Sequence, residues 1–214
     1  MSLDTIQIRE VALSDLDAVA DIYSALWCNR LRESGQLEDE RLVARFNVAM
    51  QLNRSPLSFV ATDGDHVIAA CFIGIFDNGT PRVNPTWEPV YQDLLAQATE
   101  RAKTCDARLE GNLFGDSREK ATADAFAATG SDYAQGQLNL IIILPEYQGR
   151  GLGRRLIEHA RAELRKLGCS KFFLMSDNRS DYEFYDHLGM ERIAENHDQD
   201  TGDGFIVYVY GDEA

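Results

Sequence analysis

Residues 144–155 read Leu144-Pro-Glu-Tyr-Gln-Gly-Arg-Gly-Leu-Gly-Arg-Arg155, between the apolar run Gln137 to Leu144 and the segment Arg150 to Leu167. The run predicts a buried strand that stops at Pro145. The segment predicts an amphipathic helix. Leu152, Leu156, Ile157, Ala160, Leu164 and Leu167 fall on one face, and Gly168 caps the end. The junction is a strand-to-helix turn with glycine at 149, 151 and 153. Alternate glycines let the backbone curl tightly and bring its N–H groups close to a ligand. The helix start adds unpaired N–H groups and the positive end of its dipole, a combination that suits a pyrophosphate. Arg150, Arg154 and Arg155 add charge there.

Other phosphate-binding turns do not fit. A phosphate-loop NTPase needs Gly-x-x-x-x-Gly-Lys-Ser/Thr, and no Lys-Ser/Thr pair follows these glycines. A dinucleotide turn needs Gly-x-Gly-x-x-Gly. Counted from Gly149 the third position is Arg154, and counted from Gly151 it is Leu156. There is no Gly-x-Ser-x-Gly nucleophile elbow either.

Upstream, Thr5 to Glu10 alternates like a strand, and Ser14-Asp15-Leu16-Asp17 resembles a capping box with Asp in place of Glu. A helix follows on Leu16, Val19, Ala20, Ile22, Tyr23 and Leu26, and a second over Glu38 to Asn53. Leu57 to Thr62 and Val67 to Phe76 predict a hairpin turning at Asp63-Gly64-Asp65. Asp77 to Pro89 reads as a loop. Glu88 to Cys105 and Asp116 to Thr129 have helical composition, punctuated by Gly111, Gly115, Gly130 and Gly136. Downstream come a strand over Lys171 to Met175 and a short helix over Asp181 to Leu188 closed by Gly189. A strand pair over Met190 to Glu195 and Phe205 to Tyr210 ends the pattern. A hairpin first and strands alternating with helices later imply an α/β fold: a mixed sheet flanked by helices.

The chain has 214 residues, 35 acids and 21 bases, for a net charge of −14. That length suits one domain over 1–214, carrying an insertion at about 77–136. The charge is uneven. Residues 137–176 hold 3 acids and 7 bases, while 177–214 hold 11 and 2. One short basic segment in an acidic chain is where a phosphate-bearing ligand belongs. The overall acidity excludes the basic footprint of a nucleic-acid binder. No apolar stretch is long enough to span a membrane. The first ten residues lack a basic region followed by an apolar run, so no secretory signal is expected and the cytoplasm is the expected compartment. Cys28, Cys71, Cys105 and Cys169 are scattered, and His66, His159, His187 and His197 have no metal-type spacing, so no metal is expected.

The segment Gln148-x-x-Gly151-x-Gly153, after a strand ending at Pro145, resembles the acetyl-CoA motif of the GNAT superfamily, the Gcn5-related N-acetyltransferases. Met175-Ser-Asp-Asn178 followed by Phe184-Tyr185-Asp-His-Leu-Gly-Met190 is similar to that family's downstream element. The likeness is good over 137–190, fair for the N-terminal strand, helices and hairpin, and silent on 77–136. It implies a mostly antiparallel acyltransferase sheet with a helical insertion, and acetyl-CoA as co-substrate. By resemblance, Ile141, Ile142 and Ile143 lie on a splayed strand that pairs with the pantetheine arm. Gln148, Gly149, Arg150, Gly151, Leu152, Gly153 and Arg154 cradle the pyrophosphate. Asn178 contacts the cofactor, and Tyr185 stands near the thioester sulfur.

The implied activity is transfer of acetyl to a primary amine. An amine attacks the acetyl carbonyl and coenzyme A leaves as a thiolate. A phenol, with a reference pKa of about 10, can protonate that sulfur, which is the role expected of Tyr185. The base that takes the amine's proton stays open among Glu146, Asn139 through a water, Asp77, and an acid of the insertion. Where ribosomal-protein acetyltransferases of this superfamily carry a glutamate, this chain has Phe173. The insertion holds Trp87, Tyr91, Phe114, Phe126 and Tyr133. It either walls the acceptor site or mediates a homodimer. The acidity of the rest of the chain predicts a small cationic amine as acceptor. The alternative is a non-catalytic acetyl-CoA sensor or interaction module.

Overall fold

The computed structural model describes residues 5–115, 117–197 and 204–214. Elements follow in the order β1 (Ile6–Glu10), α1 (Leu16–Trp27), α2 (Asn29–Glu33), α3 (Leu37–Asn53), β2 (Leu57–Asp63), β3 (His66–Asp77) and β4 (Thr80–Pro81). The inserted region forms α4 (Glu88–Ala102), α5 (Ala107–Phe114) and α6 (Ser117–Ala127). Then come β5 (Gly136–Ile143), α7 (Leu152–Lys166), β6 (Lys171–Asp177), α8 (Glu183–His187), β7 (Glu191–His197) and β8 (Ile206–Glu213). The strands join in one sheet, β1-β2-β3-β5-β6-β8-β7, with the two-residue β4 beside β3. β5 and β6 run parallel, and the other described pairs are antiparallel.

Helices cover both faces, which explains the near-continuous apolar run of β3: ten consecutive residues of it are buried. On one face α7 lays Leu152, Leu156, Ile157, Ala160 and Leu164 against Ile73, Leu138, Phe172 and Leu174. On the other, α1 and α3 share a core with Trp87 at the start of α4, Leu94 of α4, and Leu109 and Leu113 of α5. Farther along that face, Ala123 and Ala127 of α6 cover Phe173 and Val209. The insertion is packed onto the sheet by its own apolar stripe.

Several predicted boundaries shift, for local reasons. The capping signal at Ser14 is replaced by Asp15, which turns inward instead. Its carboxylate accepts two bonds from Arg9, at 2.6 and 2.9 Å, and one from the Ala12 N–H at 2.7 Å. The hydrogen bonds from Arg9 hold that carboxyl below its ordinary range. The helix expected from Arg150 starts at Leu152, because Gly149 and Gly151 are left-handed, with φ of +69° and +85°. The loop expected over 77–89 contains β4. α2 and α5 were not expected at all. The expected helix start at Asp116 lies outside the described residues. No helix among the described residues is long and apolar enough to cross a membrane.

Candidate active site

The parallel pair β5–β6 is the unusual joint in the sheet. It is paired only at Gln137–Phe173 and Leu138–Leu174. Beyond Leu138 the strands part, so one edge of β5 over Asn139 to Ile143 has no strand beside it among the described residues. The other edge stays paired with β3, where Ile141, Ile142 and Ile143 face Cys71, Ala70 and Ala69. A bulge starts the divergence. Leu138 faces Ile73 and Leu140 faces Phe72, which leaves Asn139 as the extra residue. The Asn139 amide pins that bulge by donating to the Arg54 carbonyl at 3.1 Å and the Ser55 hydroxyl at 2.8 Å. The result is a V-shaped opening lined on one side by main-chain donors and acceptors. Such an edge suits an extended, amide-bearing ligand, as an added strand would.

The glycine turn sits at the wide end of this opening. Gln148 donates from its side-chain amide to the Ile143 carbonyl at 3.0 Å, which fastens the turn to the strand end. Gly149 and Gly151 supply the left-handed residues that no side chain adopts cheaply. Arg155 is the first residue whose N–H closes a helical bond, onto the Gly151 carbonyl. The N–H groups of the preceding turn therefore have no acceptor within the helix. Arg150 and Arg154 are exposed at the turn, and Arg150 stands 5.7 Å from the Tyr147 ring centre. Arg155 donates to the Ile6 carbonyl at 2.9 Å and ties α7 to β1.

Gly153 has a different task. A Cβ there would meet the Phe184 ring at 3.0 Å and the Ile143 side chain at 3.5 Å. Its absence lets α8, which carries Tyr185, lie against the start of α7. Tyr185 packs its ring 5.3 Å from Phe184 and 5.5 Å from Tyr210 of β8. It is half-buried, and its hydroxyl donates to no described residue. Burial pushes this phenol well above its ordinary range, and the charge on Glu119 of α6 pushes the same way. α6 packs on the sheet face opposite α8.

Tyr185 is held by a network that the sequence reading missed. Tyr210 donates to Asp186 at 2.9 Å, and Arg192 donates to Tyr210 at 3.0 Å and to Asp186 at 2.9 Å. The Arg192 guanidinium lies 4.2 Å from the Tyr208 ring centre. Desolvation lifts Tyr210 to about 12, and its bond to Asp186 lifts it too. These groups clamp α8 onto β7 and β8. The Tyr-x-Tyr spacing at 208 and 210 on an otherwise apolar strand was the available signal.

The remaining expectations separate. The Asn178 amide donates to the Gly204 carbonyl at 2.8 Å, and its oxygen accepts from the Ile206 N–H at 3.1 Å, so it builds the turn into β8. Asp77 is engaged by Arg82 at 2.8 and 3.1 Å, and that hydrogen bond lowers its pKa, which weakens it as a base. Glu146 is exposed on the 3₁₀ turn Pro145–Tyr147. Among the described residues no group of three or more His, Cys, Asp or Glu could hold a metal ion.

The pH dependence follows from the raised tyrosine. An acid whose pKa is raised keeps its proton through neutral and mildly alkaline pH, and loses it only as pH rises through the raised value. If Tyr185 is the acid, kcat should show no alkaline fall from its ionisation below about pH 10. A kcat decline centred near pH 8 that disappears in Tyr185→Phe would contradict this.

Among curated proteins, none is similar enough in sequence to count as a relative. Solved structures share the fold at low identity. An agmatine N-acetyltransferase is 16% identical, with 99% of this chain and 100% of that one covered and a TM-score of 0.53. A mosquito arylalkylamine N-acetyltransferase-like protein is 19% identical, with 98% and 100% covered and a TM-score of 0.52. The PaiA N-acetyltransferase of Thermoplasma acidophilum, solved with coenzyme A, is 14% identical, with both chains fully covered and a TM-score of 0.53. The profile of the acetyltransferase (GNAT) family matches residues 19–190, from α1 through the glycine turn to the end of the Tyr185 element, and the chain belongs to that family.

Proposed function

We propose that this chain transfers the acetyl group of acetyl-CoA to a primary amine by direct attack. What supports this is one opening with a glycine turn, of a kind that suits a pyrophosphate, at its wide end, together with Tyr185 on α8, which packs against the start of α7 and whose pKa burial raises. When bound, acetyl-CoA supplies the activated acetyl group. The main chain and side chains of Gln148 to Arg154 would hold its pyrophosphate, and the free edge of Ile141 to Ile143 its amide-bearing arm. Asn178 would act by shaping the end of β6. Tyr185 gives its proton to the departing sulfur. As base we retain Glu146, Asn139 through a water, and the acids of the insertion, among which Glu119 adds to the rise of the Tyr185 pKa. We place the reaction in the cytoplasm and treat residues 1–214 as one domain.

For the acceptor we propose a small cationic molecule. The chain's net charge of −14 attracts cations at range, and a structural neighbour is named for agmatine. Steering of this kind weakens beyond a Debye length of about 8 Å at physiological salt. The test is free-thiol release from acetyl-CoA across an amine panel at several salt concentrations. For the preferred amine, kcat/KM should fall severalfold from low to physiological ionic strength, with kcat little changed. A flat profile removes charge as a guide to the acceptor. Binding of acetyl-CoA without thiol release on any amine would favour a non-catalytic sensor.

A further inference from the structure

A cavity of about 120 Å³ lies on the sheet face covered by α3, α4 and α6. Its walls come from elements far apart in sequence: Asn53 and Arg54 at the end of α3, Arg82 after β4, Tyr91 of α4 and Lys120 of α6. Three of its lining side chains are cationic and none is acidic, in a chain with 35 acids and 21 bases. Arg54 is paired with Asp124, and Arg82 with Asp77. Lys120 forms no ion pair with a described residue. The side-chain carbonyl of Asn53 is shielded from solvent and has no hydrogen-bond partner among the described residues. A shielded polar atom without a partner is costly unless a ligand or water meets it.

Two links tie this cavity to the opening between β5 and β6. The Arg54 carbonyl accepts the bond from Asn139, the bulged residue at which β5 leaves β6. Lys120 stands on α6, whose Ala123 and Ala127 pack on Phe173, the β6 residue paired with Gln137 just before the strands part. The cavity thus lies on the sheet face opposite α7 and touches, through Arg54, the bulge at which the opening starts. Its volume is that of about four waters, at roughly 30 Å³ each, which is room for a carboxylate and a short stem.

We propose that this cavity binds the carboxylate of the acceptor, so that the preferred amine is an amino acid with a cationic side chain or a close derivative of one. The proposal rests on the acetyl-transfer reading and narrows it. The acidic exterior draws in the ammonium, and the basic cavity holds the other end of the same molecule. Lys120 and the two arginines supply charge-assisted hydrogen bonds to the carboxylate. The Asn53 carbonyl accepts from an N–H of the ligand. An amine lacking the carboxylate leaves these groups unmatched, which is how a polar site rejects an analogue.

The experiment compares amino acids with their decarboxylated counterparts: lysine with cadaverine, arginine with agmatine, phenylalanine with phenethylamine. Saturation-transfer NMR on the full chain reads binding without turnover, and thiol release reads kcat/KM. In at least one pair the amino acid should bind, and exceed its counterpart at least tenfold in kcat/KM. Lys120→Glu should erase most of that preference while affinity for coenzyme A stays within twofold, and Lys120→Gln should have an intermediate effect. The proposal is overturned if no amino acid binds, if every decarboxylated amine is used as well as its partner, or if Lys120→Glu leaves the preference intact. Absence of thiol release with all six compounds would instead defeat the acetyl-transfer reading, while the NMR would still report on the cavity.

Discussion

Replacing Gly151 with aspartate should weaken coenzyme A binding at least a hundredfold by calorimetry. Two effects act together. Gly151 has φ of +85°, and a side chain there costs roughly 1–2 kcal/mol of backbone strain. The new carboxylate would also stand at the start of α7, where the proposed pyrophosphate sits. Two like charges about 4 Å apart near a protein surface repel by up to about 4 kcal/mol. Even half of that repulsion, added to the distorted turn, exceeds a hundredfold in affinity. Gly151→Ala separates the two, because it carries the strain without the charge and should lose far less affinity. Thermal unfolding controls for the fold. Gly151→Asp that unfolds like the wild type yet binds coenzyme A within threefold would remove the turn as the pyrophosphate site.

The second large effect belongs to Tyr185→Phe. The substitution keeps the ring that packs against Phe184 and Tyr210 and removes only a hydroxyl that no described residue uses. Stability should therefore change little. A positioned general acid is worth roughly 10²–10⁴-fold in rate. We expect kcat to fall by that amount with KM for acetyl-CoA almost unchanged, since the loss is confined to the step in which sulfur departs. Steady-state kinetics on the best amine measure both constants. A fall of less than about threefold would make Tyr185 a packing residue, with the thiolate leaving unaided.

The glycine turn and the Tyr185 element were legible because each rests on local constraints. Alternate glycines, a stopping proline and an amphipathic helix are visible within a few residues of one another, and the structure has the strand, turn and helix in that order, with the helix starting two residues later than expected. The role of Gly153 was not legible. Its need for glycine comes from Phe184, some thirty residues on, and only packing shows it. α5 escaped notice because Gly111 looked like a breaker. It sits inside the helix with open space where a Cβ would be, and the true start signal was Asp106, whose carboxylate accepts from the Leu109 N–H. α2 has five residues, too few to show a period. The clamp of Arg192, Asp186 and Tyr210 and the basic cavity draw their members from separate elements. No spacing along the chain announces such clusters, because tertiary packing alone creates them.

The central claim is that the acetyl group moves from the thioester to an amine within this opening. Acetyl-CoA carrying an isotopic label in its acetyl group tests it most directly. The protein is incubated with the labelled donor and the preferred amine, and the products are followed by mass spectrometry alongside free thiol. The account predicts one labelled N-acetyl product for each thiol released, and loss of both together in Tyr185→Phe. Thiol release with the label recovered as free acetate, or no release with any amine despite tight binding of the donor, would contradict it.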